Sequence, residues 1–269
     1  MKIDRKKCEN TFAAYTEHYN AADPKIKLKI DHTYRVAAFS ERIARSLKLS
    51  REQVDLAWLI GLLHDIGRFE QIRRYGTFSD AKSIDHARFG VALLYGEDAK
   101  SPTDTGLLEQ YVPADCTDRE RMLIRKAIEN HSAYRIETGL DPEMEQFCHI
   151  IRDADKIDIL RVSYETGIEA IYDVTTEQLL QDTVTEEVMQ AFSEKHAVLR
   201  KYKKTSVDHI VGHISLVFEL VYPESNLAVQ EQGYLDKLLA FSSQNPITQK
   251  QFMQLRKIIR EYFAGRHFS

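Results

Sequence analysis

The stretch Leu56–Arg68 reads Leu-Ala-Trp-Leu-Ile-Gly-Leu-Leu-His-Asp-Ile-Gly-Arg and is the most informative part of the chain about its fold. Its apolar residues cover nearly the whole circumference of a helix, which predicts a helix at the centre of a core. Ser50 predicts the N-cap of this helix, and Gly67 predicts the point where it ends. The polar pair His64 and Asp65 therefore lies at the end of the most apolar helix of the chain.

Helical periodicity continues in both directions from this stretch, and no run alternates between apolar and polar residues as a half-buried strand does. The 269 residues include 11 glycines and 6 prolines, as expected for helices joined by short loops. We predict an all-α protein, with a motif-bearing core over 1–175 and a C-terminal helical region over 176–269 packed on it. Residues 67–83 and 97–117 are predicted loops. The predicted helices cover roughly 5–20, 26–48, 51–66, 84–96, 118–132, 143–171, 206–221, 225–242 and 246–264.

Composition and charge are those of an ordinary globular protein, with 43% hydrophobic and 29% charged residues. The net charge of −4 gives no general attraction to extended nucleic acid or to anionic membranes. The longest apolar stretch, Leu56–Leu63, is far shorter than the about 20 residues that span a bilayer. The charged N-terminus lacks the apolar run of a signal peptide, and three cysteines suggest no disulfide framework. These features predict a cytoplasmic protein with reduced thiols and no membrane contact.

Ionisable side chains fall on the apolar faces of several predicted helices. His32 shares its face with Val36 and Phe39, at helical spacings. Asp155 lies in the same way on the face that carries Ile151. The inward-facing residues found by this test, together with the pair at the end of the apolar helix, are His32, His64, Asp65, His86, His131 and Asp155.

A shared metal site explains this set better than separate explanations for each member. An unpaired buried carboxylate costs several kcal/mol or takes up a proton, so such groups are normally paired or bound to metal. Any one of the histidines alone is more simply a core histidine bonded to a carbonyl group. His64 and Asp65 point about 100° apart on a helix, so Asp65 can bridge two ions. Imidazole and carboxylate ligands without thiolate favour one or two divalent ions such as Mn, Fe, Mg, Co or Ni.

These residues and their spacing resemble the HD superfamily of metal-dependent phosphohydrolases. The resemblance covers roughly residues 25–170 and rests on His32, on the His64-Asp65 doublet and on Ala-Asp-Lys at 154–156. It implies a helical bundle like that of HD domains, here with a C-terminal helical extension. Asp153 is an alternative to Asp155, which we prefer because it stands in an Ala-Asp-basic triplet and because Asp153 lies off the apolar face. The ligands implied are the four defining residues His32, His64, Asp65 and Asp155 and the two histidines of binuclear members, His86 and His131.

The resemblance also implies a reaction, the hydrolysis of a phosphate ester or anhydride by a metal-bound hydroxide. The substrate would be a nucleotide or another small phosphorylated molecule. Asp65 would bridge the metal ions, while Arg68 and Lys156 would contact phosphate oxygens. Each of these cations also has a simpler interpretation: Arg68 as a solvated loop residue, and Lys156 as the partner of Asp153. Arg68 stands where nucleotidases and stringent-response hydrolases carry an acidic residue, which argues against those subgroups.

Two other functions fit the same ligands. One is a di-iron oxygenase similar to myo-inositol oxygenase, and the other is a regulatory module that binds a nucleotide without turning it over. The basic residues of 67–83, which include Arg73, Arg74 and Lys82, favour an anionic substrate over the oxygenase. The intact doublet argues against a module that has lost catalysis. No His-His pair or Gly-Tyr-Pro triplet follows His131, which argues against a cyclic-dinucleotide phosphodiesterase.

Overall fold

The computed structural model describes residues 1–20, 22–98, 100, 105–172 and 174–265. Within these ranges the regular secondary structure is helical, so the all-α prediction is confirmed. The first helices are α1 (Arg5–Thr16), α2 (Pro24–Ser46), α3 (Arg51–Leu63), α4 (Ile66–Tyr75), α5 (His86–Leu94), α6 (Asp118–Asn130) and α7 (Pro142–Thr166). They are followed by α8 (Ile168–Tyr172), α9 (Thr176–Gln181), α10 (Glu186–Ser193), α11 (Ser206–Ile214), α12 (Pro223–Gln232), α13 (Tyr234–Leu239) and α14 (Pro246–Ala264).

The helices are distributed over two compact units, Met1–Asp155 and Lys156–Ser269. Helix α7 contributes residues to both of them. The predicted division into 1–175 and 176–269, with the second region packed on the first, stays a prediction.

Helices α2 and α3 form the centre of the first unit. A capping box at Ser50 starts α3, in which Val54 and every residue from Leu56 to Leu63 are buried. A Cβ atom at Gly61 would lie 2.6 Å from the Cα atom of Ala37 in α2, so only glycine allows the two backbones to approach this closely. This close packing brings α2 alongside the end of α3 that carries His64.

Helix α4 is the main difference from the sequence prediction. It occupies most of the predicted loop 67–83, so that part of the prediction is wrong, and Gly67 lies inside α4 instead of ending α3. Gly67 is needed for another reason: a Cβ atom there would lie 2.5 Å from the carbonyl oxygen of His86 and 2.7 Å from the amide nitrogen of Gly90. Helices α4 and α5 therefore pack backbone against backbone. The helix ends at Gly76, whose φ of 68° suits glycine.

Smaller differences occur in the second unit. Helices α9 and α10 lie between residues 176 and 193, where no helix is predicted. The predicted helix 225–242 is interrupted at Gly233, which has a φ of 69° and separates α12 from α13. No helix in the described ranges is both long and apolar enough to cross a membrane. The cysteines Cys8, Cys116 and Cys148 are free and buried.

Candidate metal centre

Four helices and the tight turn between α3 and α4 bring the predicted ligands together in the first unit. His32 comes from the middle of α2, and His64 and Asp65 form the turn between α3 and α4. His86 is the first residue of α5, His131 is the C-cap of α6, and Asp155 lies within the long helix α7. Two groups of donor atoms lie close enough to hold a metal ion, His32 with His64 and Asp155, and His64 with Asp65 and His131.

The two carboxylate oxygens of Asp65 face different histidines. Its Oδ2 atom lies 3.7 Å from Nε2 of His32 and 3.6 Å from Nε2 of His64. Its Oδ1 atom lies 3.4 Å from Nε2 of His86 and 3.7 Å from Nε2 of His131. Asp155 approaches the first side only, with Oδ1 at 3.2 Å from Nε2 of His32 and 3.8 Å from Nε2 of His64. Asp65 thus stands between two sets of donors, as a bridging carboxylate would.

Three of the imidazoles have their tautomer set by the hydrogen bond of Nδ1. The Nδ1 atoms of His64 and His131 lie 2.7 Å from the carbonyl oxygens of Gly61 and Ile128, which can only accept a hydrogen bond. Nδ1 of His86 lies 2.7 Å from a carboxylate oxygen of Asp80. Each Nδ1 therefore carries the proton, and each neutral ring presents an Nε2 lone pair to the centre of the site.

These lone pairs meet without a proton between them. The Nε2 atoms of His86 and His131 are 3.0 Å apart, and Nε2 of His64 is buried without a hydrogen-bond partner in the described part of the chain. Burial lowers the pKa of His64 to about 3, and burial together with the charge of Arg68 lowers that of His86 to about 4. A second proton on either ring is therefore costly at neutral pH. A metal cation among the Nε2 atoms satisfies them all, so the residues fit a metal ion.

The carboxylates of the site are ionised. Burial raises the pKa of Asp65, but the Lys29 ammonium group, with the Arg68 guanidinium group on the other oxygen, holds it well below its ordinary range. Burial also raises the pKa of Asp155, and the hydrogen bond and charge of His32 more than reverse this. Two anionic carboxylates among imidazoles are a typical ligand set for divalent Mn, Fe, Co or Ni.

Comparison with known families identifies the domain that contains this site. Residues 30–160 match the family model of the HD domain. The chain contains an HD domain. The match includes every ligand predicted from the sequence, and HD-domain proteins bind divalent metals and form a superfamily of metal-dependent hydrolases. No curated protein and no solved structure matches the chain significantly.

A network behind the ligands of the HD domain holds Arg68 in place. Nη1 of Arg68 donates to Asp80 at 2.8 Å, to the carbonyl oxygen of Phe78 at 2.6 Å and to Gln71 at 2.8 Å. Its Nε atom lies 3.6 Å from Oδ1 of Asp65. With 14% of its side chain exposed, Arg68 is a fixed neighbour of Asp65.

Asp80 is a residue of the site that the sequence does not reveal. It lies in a short 3₁₀ turn between α4 and α5, and its two oxygens bind different partners, Arg68 and His86. The carboxylate thereby holds the imidazole of His86 in the tautomer that exposes Nε2.

Asp80→Asn is expected to weaken metal binding by about 10- to 100-fold, because an amide no longer fixes the proton of His86 on Nδ1. Calorimetric titration of the metal-free protein with Mn²⁺ would measure this change. Asp98→Asn is the matched control, since Asp98 also pairs with an arginine, Arg74, outside the site. Equal affinities for the wild type and Asp80→Asn would contradict the positioning role.

Asp153 and Lys156 differ from the six predicted ligands. Asp153 is fully buried, although its pattern places it off the apolar face, and its helix neighbours Ile150 and Ala154 are buried as well. Neither group of donor atoms that could hold a metal includes Asp153. His86 also lies outside both groups, but its Nε2 atom is 3.4 Å from Oδ1 of Asp65. Lys156 is 8% exposed and belongs to the second unit, and its predicted contact with phosphate stays a prediction.

The arginines of α4 that could bind a nucleotide have partners within the protein. Arg73 lies 2.6 Å from Glu70, and Arg74 pairs with both Glu70 and Asp98. Their charges are therefore largely neutralised. A different cation, Lys29, lies against the site: its Nζ atom is 2.6 Å from Oδ2 of Asp65.

Proposed function

We propose that the HD domain of this chain is a metal-dependent phosphohydrolase that acts on a small phosphorylated molecule, such as a nucleotide. One observation carries this proposal: the Nε2 lone pairs of three buried imidazoles converge on the two oxygens of Asp65 with no proton among them. Such a cluster of donors is stable when a cation completes it. The proposed ligands are His32, His64, Asp65, His86, His131 and Asp155.

A bound divalent ion would polarise a phosphoryl oxygen and lower the pKa of a coordinated water toward about 7. Asp65 would face one ion with each carboxylate oxygen, because Oδ1 and Oδ2 point at different histidines. Asp80 would keep His86 in the ligating tautomer. The protein would then supply three or so ligands to each ion, which leaves positions for water and substrate.

The charges beside the ligands support an anionic substrate. Lys29 and Arg68 lie on opposite oxygens of Asp65, and both lie near the ring of Phe78, at 5.7 and 5.8 Å from its centroid. Two cations beside the proposed ions favour phosphate, whose oxygens gain charge during hydrolysis. The overall charge of −4 favours a small phosphorylated molecule over an extended nucleic acid.

We expect the purified protein to release phosphate, or to cleave a phosphodiester or anhydride, only in the presence of a divalent transition metal or Mg²⁺. The test screens phosphomonoesters, phosphodiesters and nucleotides with Mn²⁺, Fe²⁺, Mg²⁺, Co²⁺ and Ni²⁺, and repeats each reaction with a chelator. Saturable nucleotide binding without product under any metal would contradict hydrolysis in favour of a regulatory module. Consumption of oxygen by the iron-loaded protein would instead favour an oxygenase.

A further inference from the structure

Lys29 forms the shortest ion pair of the site. It lies one helical turn before His32 on α2, and its Nζ atom donates to Oδ2 of Asp65 at 2.6 Å. The side chain of Asp65 is 3% exposed and that of Lys29 is 18% exposed. The carboxylate of Asp65 is thus nearly buried, whereas the side chain of Lys29 is partly accessible to solvent.

The oxygen that Lys29 contacts is one that the proposed metal ion also needs. Oδ2 of Asp65 is the oxygen that faces the Nε2 atoms of His32 and His64. An ammonium group and a divalent cation at the same oxygen repel each other, and this repulsion is strong where water is largely excluded. The ammonium group therefore opposes metal binding and has to yield when the metal enters.

Of the two cations on Asp65, Lys29 is the one that can move. Arg68 is held by Asp80, Gln71 and the carbonyl oxygen of Phe78, which fix its guanidinium group. Lys29 carries its charge on a flexible four-carbon chain, and its donor is a point charge that can be redirected to another oxygen. A short rotation keeps it near the ring of Phe78, which attracts cations.

We propose that Lys29 is an exchangeable counter-ion: it neutralises Asp65 in the metal-free protein and turns to a phosphate oxygen when metal is bound. The second half of this proposal rests on the proposed function, whereas the first half does not. A cation already present in the site keeps the buried carboxylate paired until a metal arrives. After the exchange, the same charge lies beside the metal, where a phosphate oxygen needs a donor.

The test uses Lys29→Met, which keeps the length of the side chain and removes its charge. Calorimetric titration of the metal-free protein with Mn²⁺ is expected to show about tenfold tighter binding than in the wild type, because the competing cation is gone. Thermal unfolding of the metal-free variant is expected at a lower temperature, since Asp65 loses its partner. Binding of inorganic phosphate to the Mn²⁺-loaded variant is expected to be about tenfold weaker.

Two control variants keep the proposal falsifiable. Lys27→Met removes an exposed charge from the same helix and is expected to leave all three measurements unchanged. Lys29→Arg retains the charge and is expected to bind Mn²⁺ about as the wild type does. Unchanged or weaker Mn²⁺ binding by Lys29→Met would overturn the exchange. Tighter Mn²⁺ binding with unchanged phosphate binding would overturn the phosphate half. Because none of these measurements needs turnover, an absence of hydrolysis in the wild type would refute the proposed function and leave the exchange of Lys29 for metal at Asp65 standing.

Discussion

Asp65→Asn is expected to lose most of the metal bound by the wild type and to reduce metal-dependent hydrolysis by about a thousandfold or more. The carboxylate of Asp65 faces histidines with both oxygens. An amide offers a metal ion only one oxygen, and that oxygen is a weaker ligand because it carries no charge. Elemental analysis of protein purified without chelator would give the metal content per chain. Assays with the best substrate of the screen would give the loss in rate.

The control for this variant is Glu70→Gln. Glu70 is also a buried carboxylate of α4, but it pairs with Arg73 and Arg74 and not with histidines. We expect this substitution to lower stability and to leave the metal content unchanged, because it lies outside the donor set. Full metal content in Asp65→Asn would rule out Asp65 as a bridging ligand.

Gly67→Ala is expected to lower the free energy of unfolding by about 3 kcal/mol or more. The added methyl group would lie 2.5 Å from the carbonyl oxygen of His86 and 2.7 Å from the backbone nitrogen of Gly90, and backbone atoms cannot move aside as a side chain can. The same displacement would shift His86, so metal binding is expected to weaken as well. Urea unfolding of the metal-free protein measures the first effect, and Mn²⁺ titration measures the second.

Gly90→Ala is the control for this contact, because it adds a methyl group from the opposite helix. Its nearest neighbours would lie at 3.3 to 3.7 Å, and alanine gains about 1 kcal/mol in helix propensity over glycine. We therefore expect a small change of either sign. A Gly67→Ala variant as stable as the wild type would mean that α4 and α5 do not pack as closely as described.

The helices that carry the proposed ligands could be predicted because each buries either one face or its whole circumference. The apolar periodicity around His32, His131 and Asp155 depends only on neighbours along the chain, and these neighbours mark the buried face. Helix α4 could not be predicted in this way, because its buried residues include Glu70, a charged side chain. Glu70 is buried because two arginines neutralise it, and one of these, Arg74, is also held by Asp98. That pairing is a tertiary contact which no periodicity shows.

Among the residues that contact the proposed ligands, one could be predicted from the sequence and another could not. Lys29 could have been found, because it precedes His32 by one helical turn and must share its face. Asp80 could not, because its contact with His86 depends on a 3₁₀ turn that folds back toward α5. The burial of Asp153 is also tertiary, since a helix covered on several sides loses its polar face.

The proposed ligands extend along the chain from His32 to Asp155, and within the described residues no disulfide joins any part of this segment. A bound ion would therefore act as a reversible cross-link that closes a loop of about 120 residues, and it would favour the folded chain in proportion to the free ion concentration. In a cell, the fraction of unfolded chains exposed to proteases would then rise when the metal becomes scarce. The abundance of this protein would thus follow the supply of the ion, independently of its synthesis.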